Sequence, residues 1–135
     1  MEVTANYLSD TKFQVGTRGH TLICDQPTEN GGLDEGMSPP EFLLASLATC
    51  AAYYAAQYLK ARGLPAGNLT VRVTAEKAQH PTRLGSFAVD ITAPGLEGRL
   101  EEGVLRAVKA CLIHNTLQAG PHIDVSVNAA VPAHA

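Results

Sequence analysis

From Phe42 through Leu59 the chain carries no charged side chain, and the run is rich in alanine, leucine and tyrosine. Ser38-Pro39-Pro40-Glu41 stands immediately before it. Serine is a preferred N-cap, and proline fits a first helical turn because its missing N–H has no partner there. A glutamate three residues after the cap completes a capping box. At the far end Gly63 supplies a left-handed stop and Pro65 prevents continuation. The segment is therefore predicted as one helix running to about Arg62. Phe42, Leu43, Leu44, Leu47, Cys50 and Tyr54 point all around its axis rather than along one stripe, so the helix is expected to be buried on every side.

A run of roughly 20 apolar residues also suits a membrane span. Ser46, Thr49 and Gln57 interrupt this one, and the flanking segments alternate as amphipathic strands. Both features favour the core of a globular protein, and no membrane partner is expected. With 135 residues, 45% hydrophobic and 17% charged, the chain is expected to form a single domain over residues 1–135. One small sheet covers one face of a helix, and a domain of this size has too little material to wrap the rest. A second copy of the chain is the simplest cover, so a homodimer is expected.

The remaining segments read as alternating elements. Val3 to Leu8, Phe13 to Thr17 and Thr21 to Cys24 are β-prone runs parted by Ser9-Asp10 and Arg18-Gly19-His20, the pattern of a meander. Gln26 to Met37 contains Pro27, Asn30-Gly31-Gly32 and Gly36 and reads as a loop without regular structure. Loops of about a dozen residues are commonly functional. After the helix, Leu69, Val71, Val73 and Ala75 alternate with Thr70, Arg72, Thr74 and Glu76, and Phe87, Val89 and Ile91 alternate with Ala88 and Asp90. That predicts an antiparallel hairpin with one buried face, turning at Gln79-His80-Pro81-Thr82. Leu100, Val104, Val108 and Cys111 fall at helical spacing in a segment of about Gly98 to Cys111, which puts Cys111 on its inner face. Asn115 is expected to cap a further short turn ending at Gly120, before a last strand with Ile123, Val125 and Val127 facing inward. The order βββ-α-ββ-α-α-β defines an α+β fold.

A formal net charge of -3 with scattered lysines and arginines leaves no electrostatic footprint for nucleic acid. Met1 to Asn6 shows no basic stretch followed by an apolar one, so a reducing cytosol is the expected compartment. There, three cysteines do not suggest a structural disulfide framework, and a disulfide would be transient, catalytic or sensory. His20, His80, His114, His122 and His134 show no metal-ligand spacing, and neither a phosphate loop nor a serine-nucleophile elbow is present. No metal or cofactor is expected.

Cys50 has Leu43, Ser46, Leu47, Tyr53, Tyr54 and Gln57 near it at helical spacings. A buried cysteine is ordinarily a small inert hydrophobe, and this applies to Cys50 and Cys111 taken singly. Two of them on inward faces of different helices raise a redox reading, since a disulfide needs only Cα atoms about 5–6 Å apart. Glu41 precedes Cys50 by nine residues, ~13 Å along the axis and on the opposite face. Beyond capping, it can serve catalysis only by orienting another group, across a subunit boundary for instance. Arg18 is a candidate for holding a thiolate and a peroxide oxygen by charge-assisted hydrogen bonds, although an arginine beside a turn glycine is more often simply solvated. Cys24 has no partner by count.

Gly36-Met37-Ser38-Pro39-Pro40-Glu41-Phe42-Leu43-Leu44-Ala45-Ser46-Leu47-Ala48-Thr49-Cys50, together with Cys111-Leu112-Ile113-His114-Asn115-Thr116-Leu117, resembles the OsmC/Ohr family of osmotically inducible and organic-hydroperoxide-resistance proteins. The resemblance implies an intertwined homodimer in which the two long helices pack together and two sites lie at the subunit interface. It implies that Cys50 is a peroxidatic thiol attacking the O–O bond of an organic hydroperoxide. Cys111 would resolve the sulfenic acid as a disulfide, later reduced by a dithiol such as a lipoylated protein. Glu41 matches the family glutamate after the proline. The family's arginine lies in a glycine-rich N-terminal segment or in the loop before the long helix. Here Gln26 to Met37 contains none, and Arg18 is the nearest positional substitute. Ala51 stands where the family carries an aromatic residue. These departures keep a second reading in view, a non-peroxidatic dimer of this type that binds a small molecule or senses redox state.

Overall fold

Tight turns shape the N-terminal third. Asp10 and Arg18 adopt positive φ (48° and 50°), and Gly19 follows Arg18 at 82°. They join β1 (Thr4–Ser9), β2 (Lys12–Thr17) and β3 (His20–Cys24) into an antiparallel sheet of order β1-β2-β3. The computed structural model describes residues 1–129. His134 lies outside them.

The loop that follows contains one 3-10 turn, Thr28–Asn30, in a stretch expected to be irregular throughout, and is wound around a single side chain. Asp25 is fully buried. Its carboxylate accepts hydrogen bonds from the Thr11 hydroxyl and from the backbone N–H groups of Gln26 (2.8 Å), Leu33 (3.3 Å) and Glu35 (3.0 Å). The backbone passes so close that a Cβ on Gly32 would lie 1.9 Å from the Gln26 carbonyl oxygen, and one on Gly36 2.1 Å from that of Ile23. Outside this knot Lys12 pairs with Glu35 at 3.1 Å. Asp25 N–H then donates to Met37 O at 3.2 Å, returning the chain to the end of β3 just before the long helix begins.

That helix, α1, spans Pro39–Ala61 between the N-cap Ser38 and the C-cap Arg62, with Gly63 left-handed at φ 68° as expected. Leu47, Ala51, Ala55 and Leu59 are its buried residues, a single stripe at four-residue spacing. Thr49, Tyr53 and Gln57 on the other side are exposed. Burial on every side is therefore not achieved within one chain. One hairpin and one neighbouring helix supply one covered face, and among the described residues no second layer lies on the other.

The covered face packs against β4 (Thr70–Ala78), β5 (Arg83–Thr92) and α2 (Arg99–Val108). Val71 pairs with Ile91, Val73 with Val89 and Ala75 with Phe87, so the alternation read from sequence places these side chains on one face. Ala51, Ala55 and Leu59 meet Val104 and Val108 in the core, with Val71, Val89 and Ile91 partly buried around them. Burying a leucine or valine stabilises by roughly 1.5–3 kcal/mol, whereas an N-cap contributes about 1 kcal/mol. Packing thus holds α1 in place, and the cap fixes where it starts.

Two expectations fail at the C-terminal end. Cys111 is not on the inner face of α2, which stops at Val108. It is instead the N-cap of α3 (Leu112–Ala119), a role assigned to Asn115 from sequence. Residues 121–129 form no strand, and Ile123, Val125 and Val127 are 76%, 85% and 92% exposed. An alternating segment becomes a strand only against a paired edge, and this one pairs with neither sheet of its own chain. The β1–β3 sheet likewise makes no extensive contact with the helices or with β4–β5. Its apolar side, with Phe13, Val15 and Leu22, instead faces an open cleft of about 600 Å³ reaching Pro39 and Phe42.

The Thr11 hydroxyl, foremost, and the three backbone N–H groups hold the Asp25 carboxyl below its usual pKa, against the opposing effect of burial. A depressed folded pKa gives stabilisation that is complete above the unfolded value of about 3.9 and is lost as pH falls through the folded value. Asp25→Asn is expected to be less stable at neutral pH, with the gap to the parent narrowing as pH drops below about 4. Urea midpoints across that range, at fixed protein concentration, measure this.

Candidate functional site

Helices α1 and α3 pack together, and this contact sets the two cysteines of interest side by side. Cys50 lies at mid-helix on the flank of the buried stripe and is half-buried, while Cys111 is 0% exposed. Both are free thiols, and Cys50 lies near enough to Cys111 to perturb its thiol. Backbone geometry fixes the second sulfur. Cys111 N–H donates to Val108 O at 3.0 Å and Asn115 N–H donates to Cys111 O at 3.0 Å, closing α2 and opening α3 on the same residue. The His114 N–H then donates to Cys111 Sγ at 3.4 Å. Burial pushes the Cys111 thiol up, and the adjacent Cys50 adds to this. The amides of His114 and Ile113 act in the opposite direction.

A cleft of about 660 Å³ opens between α1, β5 and α3, with neither cysteine in its lining. Leu43 and Leu47 of α1, Phe87 and Val89 of β5, and His114 and Leu117 of α3 line it. Leu47 precedes Cys50 by about one turn, and His114 is the residue whose amide meets Cys111. Arg83, Ser86 and Gln118 add polar groups to its rim. Sequence reasoning had passed over the cleft and the role of His114. The signal was present in Cys111-Leu112-Ile113-His114, where the side chain of a cap meets the amide three residues on, but cysteine is not among the usual capping residues.

Glu41 and Arg18 stand apart from the pair. The Glu41 Oε1 accepts from Ser38 N–H at 3.0 Å and Ser38 Oγ–H at 2.8 Å, bonds that hold its carboxyl below the usual range. These are its polar contacts among the described residues, and they are those of a helix cap. Arg18 sits exposed at the β2–β3 turn, on the sheet that is not packed against the cysteine-bearing elements. Cys24 is buried at the end of β3, and its thiol is raised by burial and then by the neighbouring Asp25. Among the described residues no three His, Cys, Asp or Glu side chains cluster in a way that could hold a metal ion.

An α+β chain with a cysteine midway along its long helix, set against a second cysteine that caps a short one, defines a dithiol protein. The sequence pattern of the OsmC-like protein family matches residues 32–126, and the chain belongs to that family. Solved structures of the same fold include an OsmC-like protein from Mycoplasma pneumoniae, 24% identical, with a TM-score of 0.73 over 88% of this chain and 87% of that one. A Psychrobacter arcticus protein connected with osmotic stress and detoxification is 21% identical, with a TM-score of 0.77 over 84% and 85%. An organic hydroperoxide resistance protein OsmC from Legionella pneumophila is 18% identical, with a TM-score of 0.67 over 87% and 90%. At these identities the likeness establishes the fold. No curated protein matches the chain.

The difference in exposure predicts an order of reactivity. Iodoacetamide should alkylate Cys50 on the order of tenfold faster than Cys111 or Cys24, because access favours the half-buried sulfur over two buried thiols. Peptide mass spectrometry over a time course reads the order directly.

Proposed function

We propose that this protein is a thiol-dependent peroxidase that reduces organic hydroperoxides to alcohols. The observation that carries the reading is the adjacency of half-buried Cys50 and fully buried Cys111. Shared fold with a protein described as conferring organic hydroperoxide resistance supports it. In this mechanism the Cys50 thiolate attacks one peroxide oxygen, the O–O bond breaks, and the alcohol leaves after taking a proton. The resulting Cys50 sulfenic acid is attacked by Cys111, which forms the disulfide and releases water. A dithiol reductant, such as a lipoylated protein, restores both thiols. The sulfur chemistry is complete without a metal or cofactor, and a reducing cytosol would supply the reductant. Leu43, Leu47, Phe87, Val89 and Leu117 of the neighbouring cleft would favour organic hydroperoxides over hydrogen peroxide.

The working unit of this proposal is a homodimer. Three apolar surfaces of the single chain stand open: the outer face of α1 around Tyr53 (59% exposed), the apolar side of β1–β3, and the segment carrying Ile123, Val125 and Val127. Pairing two copies through α1 and exchanging the free β segments would cover them together. In that assembly Arg18 of one copy could reach the dithiol of the other, and Glu41 would set the start of α1 at the interface. The separation of Arg18 from the cysteines within one chain favours a second reading, a dimer that binds an apolar ligand or senses redox state without rapid turnover.

Cys50→Ser should reduce consumption of cumene hydroperoxide with a dithiol to the uncatalysed background, and Cys111→Ser should support one reaction per thiol without sustained turnover. Activity undiminished in Cys50→Ser would contradict the mechanism. Sedimentation at micromolar concentration should give twice the chain mass, and a stable folded monomer there would contradict the covering of α1.

A further inference from the structure

The two sulfurs differ in a way that bears on how their disulfide is opened. Cys111 is 0% exposed, lodged where α2 ends and α3 begins, with the His114 amide on its sulfur at 3.4 Å. Cys50 is half-buried on the flank of α1. Thiol–disulfide exchange requires the attacking thiolate to approach one sulfur while the other departs, and which sulfur is attacked depends on access.

We infer that the reductant attacks Cys50 and that Cys111 is the departing sulfur, so that hydroperoxide and reductant use the same opening at the same atom. The inference rests on the peroxidase reading, and any assembly that admits a hydroperoxide to Cys50 leaves that sulfur reachable. In the first step a reductant thiolate forms a bond to Cys50 Sγ. The Cys50–Cys111 bond breaks, and its electron pair leaves on Cys111 Sγ. That thiolate is formed where the His114 N–H already donates to the sulfur at 3.4 Å, so its charge is met by an existing donor before it takes a proton. In the second step the other thiol of the reductant, as its thiolate, attacks the reductant sulfur bound to Cys50. The reductant closes to its own disulfide and Cys50 departs as the thiolate needed for the next hydroperoxide. The reductant is oxidised by two electrons and the protein disulfide is reduced by two.

Attack at Cys111 would demand that a bulky dithiol displace the packing around a fully buried side chain and break its cap on α3. The amides help Cys111 as a leaving group, and burial hinders it. Access decides the outcome, because a sulfur that cannot be approached is not attacked however well its partner would leave.

The test needs no variant. The disulfide is formed in the intact wild-type protein with diamide, so its formation does not depend on reaction with a peroxide. It is then exposed briefly to the monothiol 2-mercaptoethanol, quenched with acid and iodoacetamide, and mapped by peptide mass spectrometry. The expected result is the mercaptoethanol adduct on Cys50 with carbamidomethyl on Cys111, in at least about tenfold excess over the reverse arrangement at the earliest time point. An adduct mainly on Cys111, an even division between the two, or no Cys50–Cys111 disulfide after diamide would overturn the inference. A Cys50 that fails to react with cumene hydroperoxide would instead defeat the peroxidase reading, and the adduct map would still report which sulfur a thiol attacks.

Discussion

The constraint on which everything else depends is that α1 has no charge to offer water between Phe42 and Leu59 and must be covered. Its inner stripe is small at the centre, Ala51 and Ala55, and larger toward the ends, Leu47 and Leu59. Small residues let Val104 and Val108 of α2 approach closely while the β4–β5 hairpin closes over the same core. Each large side chain buried there stabilises by roughly 1.5–3 kcal/mol, so the stripe fixes the rotation of α1 far more firmly than its cap does. That rotation in turn places Cys50 on the flank facing α3. The reactive pair is thus a consequence of how the helix is covered.

Within the pair, burial and hydrogen bonding divide the labour. Burial raises the Cys111 thiol and shields it from solvent, while the His114 N–H at the start of α3 donates to its sulfur. Cys50, half-buried on the flank of α1, is the more accessible of the two. A thiol that resolves benefits from staying neutral until a sulfenic acid is adjacent, and one that attacks benefits from access.

Much of this was legible in the residues. Ser38 with Glu41, Gly63 with Pro65, and the period-two runs on either side of His80-Pro81 each encode a local structure through local sterics and hydrogen bonds, and each appears where expected. The features that were not legible share a cause, dependence on a neighbour remote in sequence. Cys111 fits a helical spacing with Leu100, Val104 and Val108, but α2 ends at Val108 and the cysteine turns to cap α3. The buried carboxylate of Asp25 organises its loop through Thr11, fourteen positions earlier, and no periodicity announces it. The unbroken apolar circumference of α1 was read as complete burial, whereas one chain covers one side.

That last difference and the unpaired C-terminal segment have the same physical origin. Ile123, Val125 and Val127 alternate as a strand should, yet they stand in solvent, and the apolar side of β1–β3 lies open to the cleft near Phe42. Isolated exposed apolar residues are ordinary on protein surfaces, but an uncovered helix face, an uncovered sheet face and an unpaired β-prone segment in one small chain are not independent accidents. Each is the kind of surface that another would satisfy: a helix face by a helix face, a strand by a sheet edge. In the homodimer proposed above, two copies related by a twofold axis would present each surface to the other chain at once. In the proposed homodimer the surfaces left open by one chain would be covered by the other, and the core and its cysteine pair would be completed together.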